Sequence, residues 1–273
     1  MDSATKCILG RMMVWIKAIR AVAVILFAAV AAAAYAQQPA VLHVAAAADL
    51  QPVLPAMARS FEKANNVRVE ISFGASGTLT TQINSGAPFD VFLAADMGFP
   101  ARVAAAGHTD GVAPKKYAQG VLVLWARKDS AVQPLTIDSL RSEKLKRLAI
   151  ANPQTAPYGR AAMAALDAMG LSADVKSKLV TAENIAQAAQ FAESGNADAG
   201  LISKNSAVSE PLAHEGTFVE VPGKLYPPIE QGAVVTANAA DKKLAHSFID
   251  AVAKQMLAPS GVVIPPAAGS VQH

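Results

Sequence analysis

The sequence is poor in cysteine, in aromatic residues and in charge. Cys7 is the single cysteine among 273 residues, aromatic residues make up 5% of the chain and charged residues 16%. A chain with one cysteine forms no internal disulfide, so a small domain held together by disulfides is excluded. Apolar residues make up 52%, which excludes a disordered chain. The fold must therefore be stabilised by its hydrophobic core.

A signal peptide is predicted at the N-terminus. Residues 21–36 form an unbroken apolar run, preceded by Lys6, Arg11, Lys17 and Arg20. The run is shorter than the roughly 20 apolar residues of a membrane-spanning helix, and it ends in the small-residue pattern Ala-Tyr-Ala at 34–36. We expect cleavage before Gln37, which removes residues 1–36 and places the mature protein in the periplasm. A retained anchor is the alternative. Cys7 precedes the run, so it is not a lipid-attached cysteine.

The charge balance argues against a nucleic-acid partner. The signal peptide carries four of the 24 Lys and Arg residues and one of the 21 Asp and Glu residues, so the exported chain has 20 residues of each sign. A protein that binds phosphate backbones carries a basic excess. The basic segment 141–147 is interpreted as a solvated helix face.

Apolar runs of strand length alternate with segments of helical period along the exported chain. Strands are predicted at 41–48, 67–73, 89–95, 120–126, 147–151, 199–202, 218–221 and 233–237, and helices at 50–65, 78–85, 160–169 and 185–193. This order indicates an α/β fold and predicts a parallel sheet. Residues 258–273, with two adjacent prolines and little charge, are predicted to be poorly ordered.

Motifs for catalysis and for metal binding are missing from the sequence. It contains no Cys-x-x-Cys, no His-Glu-x-x-His, no phosphate loop and no Gly-x-Gly-x-x-Gly. The five histidines, His43, His108, His214, His246 and His273, have no metal-ligand spacing. The catalytic alternative is a periplasmic enzyme that uses Asp90 or Asp96 as a general base, but a partner acid, a nucleophile and a metal site are lacking. We expect these two aspartates to support a strand and a hinge instead.

Three junctions between a strand and a helix carry small and hydroxyl residues. They are 46–49, which ends in Asp49, 76–78 (Ser-Gly-Thr) and 152–159, which contains Tyr158. The first N–H groups of a helix are unpaired and lie at the positive end of its dipole, so such junctions accept anions. Taken singly, Ser76, Thr78 and Asp49 could be helix caps and Tyr158 a core residue. Together they predict one anion-binding cleft at the carboxyl ends of the strands.

Four segments resemble the periplasmic molybdate-binding proteins of ABC transporters. They are VAAAADL (44–50), FGASGTLTTQINSGAPFDVFLAAD (73–96), ANPQTAPYGRAAMAAL (151–166) and TAENIAQAAQFAESGNADAGLI (181–202). The resemblance, which spans about residues 41–250, implies a type II periplasmic binding protein in which two α/β lobes with mixed sheets and flanking helices are joined by two hinge crossings. Lobe 1 is assigned to residues 37–118 with 228–257, and lobe 2 to residues 119–227.

The resemblance also implies a function. The protein would capture molybdate, and tungstate of nearly equal size, between its lobes and deliver it to an ABC transporter permease in the inner membrane. No catalysis, no cofactor and no site for a bare metal ion are expected, and a lobe-closing receptor is most simply a monomer. Binding of sulfate, phosphate or a small organic acid remains the alternative.

Carried over by position, the oxyanion ligands fall on Ala48, Asp49, Ser76, Tyr158 and Ile185, the last through its backbone N–H. Some members of the family have serine or threonine at Ala48, where this chain can donate only a backbone N–H, and some have tyrosine at Ser203. The Asp49 carboxylate would repel a dianion, so we expect it to turn away and cap its helix. If Asp49 points inward, a protonated oxyanion of the phosphate type gains ground.

Overall fold

The computed structural model describes residues 39–257. The predicted signal peptide (1–36) and the predicted tail (258–273) lie outside these residues.

The strands of the described residues form two five-stranded sheets. Sheet 1 has the order β2-β1-β3-β10-β4 and contains β1 (Ala40–Ala47), β2 (Val67–Gly74), β3 (Val91–Ala94), β4 (Lys115–Gly120) and β10 (Ile229–Val235). Sheet 2 has the order β7-β6-β8-β5-β9 and contains β5 (Leu122–Arg127), β6 (Leu148–Ala151), β7 (Leu179–Ala182), β8 (Ala199–Ser203) and β9 (Gly216–Glu220).

Helices connect the strands and cover the sheets. The α-helices are α1 (Leu54–Asn65), α2 (Ser76–Asn84), α3 (Gly98–Ala105), α4 (Pro157–Ala168), α5 (Ser172–Val175), α6 (Ile185–Glu193), α7 (Lys204–Ala207), α8 (Leu212–Glu215) and α9 (Lys242–Met256). Short 3-10 turns lie at Ala48–Leu50, Ile137–Arg141, Lys176–Lys178 and Gly223–Leu225.

Both sheets are mixed, so the parallel pairing predicted from the strand–helix order holds for only part of each sheet. β1 pairs with β3, and β6 with β7 and β8, in parallel, as the repeated strand–helix order predicts. β10 runs antiparallel to β3 and β4, and β5 runs antiparallel to β8 and β9. The antiparallel pairs arise where the chain changes sheet instead of returning through a helix. The α/β class with mixed sheets and flanking helices is confirmed.

The chain passes between the sheets twice. It leaves sheet 1 after β4 and enters sheet 2 at β5, with Val121 alone between the two strands, and it returns between β9 and β10. β10 is therefore distant in sequence from its neighbours in sheet 1. The lobe limits given above stay a prediction.

Sheet 1 is buried on both faces. Val44 and Ala46 belong to one core cluster and Ala45 to another. Because both faces of β1 are buried, its sequence is a continuous apolar run without alternating polar residues. β2 is an edge strand, and its residues alternate between half-buried and exposed. The largest cluster fills the second half of the molecule around Trp125 and extends to Ala48 and Ala75 at the ends of the sheet 1 strands.

Several element boundaries differ from the predicted ones. The first helix begins at Leu54 and not at Leu50, because Pro55 has no N–H to continue a helix from the preceding turn. Helix α6 begins and ends as predicted, at Ile185 and Glu193. β4, β7, α3 and α9 are elements for which no prediction was made.

Candidate functional site

The carboxyl ends of strands from both sheets converge on one edge of each sheet. β1 leads into the turn Ala48–Leu50, β2 leads through Ala75 into α2, β6 leads into α4, and β7 leads through Asn184 into α6. The N-termini of three α-helices thus meet where the two halves of the molecule touch. All three helices have at least eight residues, so each brings a dipole of useful size to this place.

A small cavity of about 10 Å³ lies at this meeting point. It is lined by Ala47, Ala48, Asp49, Gly74, Ala75, Ser76, Ala95, Ala156, Pro157, Tyr158, Asn184 and Ile185. All five residues that the resemblance assigned to ligand binding are in this list. No lysine, arginine or histidine lines the cavity, so any anion held here is bound by neutral donors.

Contacts between the two halves surround the cavity. The Gly77 N–H donates to the Thr155 carbonyl over 2.8 Å. Arg160 of α4 forms an ion pair with Asp96, which follows β3. These contacts join segments of sheet 1 to segments of sheet 2, so the structure is closed around the cavity.

Ser76 is buried as the first residue of α2 and does not cap that helix. Helix α2 has Ala75 at its N-cap position and no side-chain cap, and of its first N–H groups the one of Gly77 donates to the Thr155 carbonyl. The Ser76 hydroxyl oxygen accepts a hydrogen bond from the Ala95 N–H over 3.0 Å. Its own proton is therefore free to donate to a ligand. The interpretation of Ser76 or Thr78 as a cap of this helix is wrong.

Ile185 and Ala48 also line the cavity. The Asn184 side chain caps α6 by accepting from the N–H groups of Ala186 and Gln187, at 3.1 and 3.0 Å. This cap leaves the Ile185 N–H, at the cavity wall, outside its reach. Ala48 opens the turn that follows β1, and its methyl side chain leaves the backbone accessible from the cavity.

Asp49 does not cap a helix, which corrects the expectation made from sequence. Its side chain is fully buried, and its Oδ2 accepts a hydrogen bond from Gln231 Nε2 at 2.5 Å and one from the Tyr158 hydroxyl at 3.4 Å. Among the residues that the structure describes, its Oδ1 has no hydrogen-bond partner. Helix α1 begins five residues later and has no side-chain cap. Asp49 therefore lies in the cavity wall and does not turn away.

Burial controls the titration of this group. Loss of hydration raises the pKa of Asp49 from 3.8 to about 7, and the hydrogen bonds from Gln231, from the backbone and from Tyr158 offset only part of that rise. Burial also raises the pKa of the Tyr158 phenol well above its usual value, and the nearby Asp49 adds to the effect. Tyr158 is thus a neutral hydrogen-bonding group.

Gln231 is the site residue that the sequence reasoning missed. It lies in β10, 182 residues from Asp49, and its amide is buried between Asp49 and the Tyr158 hydroxyl, which is 3.4 Å from Nε2. The available signal was a polar residue that directly precedes the apolar run of β10, whose sequence is IEQGAVV. Asn184 and the contact between Gly77 and Thr155 were missed as well.

The candidates for enzymatic chemistry have structural partners. Asp90 accepts hydrogen bonds from the N–H groups of His43, at 2.7 Å, and Ala240, at 3.0 Å, and so joins β1 to the connection between β10 and α9. Asp96 accepts from the Phe99 N–H and pairs with Arg160. Ser203 is buried and caps α7. Over residues 39–257 no group of three potential metal ligands is found.

A second, wider cleft of about 530 Å³ adjoins the cavity and shares Ala48 and Asn184 with it. Glu193 and Glu210 line this cleft. Because carboxylates repel anions, the smaller cavity is the better candidate for an anion site.

Comparison with known proteins agrees with the fold. Residues 42–257 match the family model described as bacterial extracellular solute-binding protein. The chain belongs to this family. Within it, the chain is 40% identical to the molybdate-binding protein ModA of Azotobacter vinelandii over 217 residues, which cover 80% of this chain and 86% of that protein. It is 36% identical to ModA of Rhodobacter capsulatus over 185 residues, covering 67% and 70%.

A solved structure gives the same result. The periplasmic molybdate-binding protein of Azotobacter vinelandii superposes with a TM-score of 0.74 at 32% identity, covering 85% of this chain and 99% of that one. The resemblance inferred from the four segments is confirmed, and the protein is ModA-like. These relatives are named as binding proteins and not as enzymes. Within residues 39–257, no helix has both the length and the apolar character that crossing a membrane requires.

Proposed function

We propose that this protein captures molybdate in the cavity between its two halves and delivers it to the permease of an ABC transporter. The observation that carries the proposal is the convergence of Ala48, Asp49, Ser76, Tyr158 and Ile185 on one small cavity without a cationic side chain. The names of the ModA relatives supply the identity of the ligand.

The donors at the cavity suit a fully deprotonated oxyanion. Backbone N–H groups at the starts of α2 and α6, with the hydroxyls of Ser76 and Tyr158, can replace the hydration shell of the anion. Hydrogen bonds to an anion are roughly twice as strong as those between neutral groups. Because the donors are fixed in space, the cavity selects by size, so tungstate binds as molybdate does and the smaller sulfate binds more weakly.

Capture requires that the two halves open and close. The lobes are proposed to be residues 37–118 with 228–257 and residues 119–227, connected through the two crossings of the chain. The contacts between Gly77 and Thr155 and between Asp96 and Arg160 stabilise the closed arrangement. The closed form docks on the permease, because the permease recognises the relative position of the two lobes.

The remaining properties follow from this role. The protein acts in the periplasm as a monomer after removal of residues 1–36, and it binds its ligand without catalysing a reaction and without a cofactor. Asp90 and Asp96 are engaged in structural bonds, which supports this view over a general-base function.

Isothermal titration of the chain from Gln37 onward tests the proposal, with molybdate, tungstate, sulfate and phosphate as ligands under one set of conditions. Tight binding of one molybdate or one tungstate per chain, with at least tenfold weaker sulfate and phosphate binding, is expected. Tighter binding of sulfate or phosphate would keep the site and change the ligand. Absence of binding heat with all four anions would refute the proposal that the protein is an oxyanion receptor.

A further inference from the structure

The buried carboxyl group of Asp49, a residue of the cavity wall, has one oxygen without a hydrogen-bond partner among the described residues. Oδ2 is occupied by the amide of Gln231 and by the Tyr158 hydroxyl, whereas Oδ1 has no partner among the described residues. Asp49 also lines the cavity, next to the backbone groups of Ala48 and to Ser76.

An ionised carboxylate in the cavity wall would repel the proposed dianionic ligand. Two like charges in a buried site repel strongly, and the cavity lining contains no cation to compensate them. The hydroxyls of Ser76 and Tyr158, two other residues of the cavity wall, are donors suited to an anion. A carboxylic acid with its proton on Oδ1 would be one more donor of the same kind.

In the part of the chain that the structure describes, no charged side chain favours the ionised form of the Asp49 carboxyl group. The titratable side chains nearest to it are the phenols of Tyr158 and Tyr117, both buried and neutral. The charged groups on the elements packed around it are engaged elsewhere: Lys204 with Glu220, Lys116 with Glu230, Lys115 with Asp250, Arg160 with Asp96, Arg68 with Glu70, and Glu193 in the wider cleft. None of them contributes to the shift of Asp49, whose main cause is burial.

We propose that Asp49 binds the oxyanion as a neutral carboxylic acid, donating its Oδ1 proton in a hydrogen bond to a ligand oxygen, so that capture at alkaline pH takes up one proton from solvent. This inference rests on the proposed function and narrows its ligand to fully deprotonated oxyanions, of which molybdate, tungstate and sulfate are examples at neutral pH. A hydrogen phosphate would bring a second proton to a place that already has a donor.

Proton uptake during binding provides the test. Molybdate is titrated into the wild-type protein at several pH values between 6.5 and 9, each in two buffers of different ionisation enthalpy. The expected result is uptake approaching one proton per molybdate at the alkaline end, with a dissociation constant that rises about tenfold per pH unit there. A dissociation constant that stays flat over this range, without proton uptake, overturns the inference and leaves molybdate binding intact.

The Asp49→Asn variant replaces the acid by an amide that donates at every pH. Its affinity for molybdate should be independent of pH, with no proton uptake. Asp138→Asn is the matched control, because it neutralises an exposed carboxylate in the Ile137–Arg141 turn, outside the cavity lining, and should retain the pH dependence of the wild type. A pH dependence that persists in Asp49→Asn would contradict the inference, and the wild-type measurement decides the matter if this variant does not fold.

Phosphate binding distinguishes a protonated Asp49, which donates to the ligand, from an ionised Asp49, which accepts from it. If phosphate binds more tightly than molybdate and without proton uptake, Asp49 is an ionised acceptor for a protonated ligand and the inference is wrong. Absence of binding by every anion overturns the proposed function together with the inference.

Discussion

Replacing Gly77 by alanine is expected to weaken molybdate binding more than it weakens the fold. A Cβ at this position would lie 3.0 Å from both the Cα and the carbonyl oxygen of Thr155, and 3.2 Å from Cε1 of Phe99. The Thr155 atoms are backbone and cannot rotate away. Gly77 follows a strand of sheet 1 and Thr155 follows a strand of sheet 2. The alanine therefore acts as a wedge between the two halves.

The size of the effect follows from the cost of overpacking, which is about 1–3 kcal/mol for an added carbon in a closely packed place. Opening the halves removes the contact with Thr155, so this cost falls on the closed state and on the ligand-bound form. It corresponds to a dissociation constant for molybdate roughly 5- to 150-fold higher than in the wild type. The contact with the Phe99 ring lies within one half and adds a smaller cost to the fold itself.

Titration calorimetry measures the affinity, and thermal unfolding of the ligand-free protein measures the stability of the fold. Gly223→Ala is the control, since a Cβ there meets nothing within 4 Å and should change neither quantity. An unchanged affinity in Gly77→Ala would refute the reasoning that ligand binding requires this closed contact. A ligand-free melting temperature that falls enough to account for 1–3 kcal/mol would place the cost in the fold instead.

Three further predictions concern the cavity and its surroundings. Ser76→Ala should lower the free energy of unfolding by about 1–3 kcal/mol, because the buried Ala95 N–H loses its acceptor. The same variant should bind molybdate at least tenfold more weakly in titration calorimetry. An affinity equal to that of the wild type would show that Ser76 does not bind the ligand. Arg160→Gln removes the half-exposed ion pair with Asp96, so the affinity for molybdate should fall no more than about fivefold. The difference from the wild type should shrink in high salt. A loss of affinity that salt does not reduce would contradict a surface ion pair. The pKa of Asp49 is about 7 in the folded protein and 3.8 in the unfolded chain. The stability that the protonated carboxyl group provides is therefore complete below pH 3.8 and is lost as the pH rises to about 7, and urea unfolding of the ligand-free protein should show a decline on the order of 4 kcal/mol. Asp49→Asn should lack this decline, and an equal decline in that variant would assign it to other groups.

Local sequence pattern determined much of the architecture and the location of the candidate site. The run at the end of β1, the Ser-Gly-Thr segment and the start of α6 are each read from fewer than ten consecutive residues, and the structure brings all three to one cavity. This was predictable because strand ends and helix starts are local features and parallel strands place them at a common edge. The family resemblance depends on the same short segments, which is why it named the lining residues correctly.

The pairing of β10 was not predictable in this way. A strand of apolar residues near residue 233 was expected, yet its insertion between β3 and β4, antiparallel to both, depends on the return of the chain from sheet 2. Strand order is decided by which edges are available when the chain arrives. The sequence of the strand itself does not record it.

The environment of Asp49 shows the same division most clearly. Its sequence context, an aspartate just after a strand and just before a helical segment, is that of a helix cap, and this interpretation was wrong. Burial by segments distant in sequence, with Gln231 on one side and Tyr158 on the other, makes it a cavity residue with a raised pKa. The sequence by itself thus determined which residues stand at the ends of strands and helices, because those choices rest on neighbours along the chain. Only the tertiary structure decided how far each of them is removed from water and which polar groups face it, because hydration and charge depend on everything within a few ångströms in space.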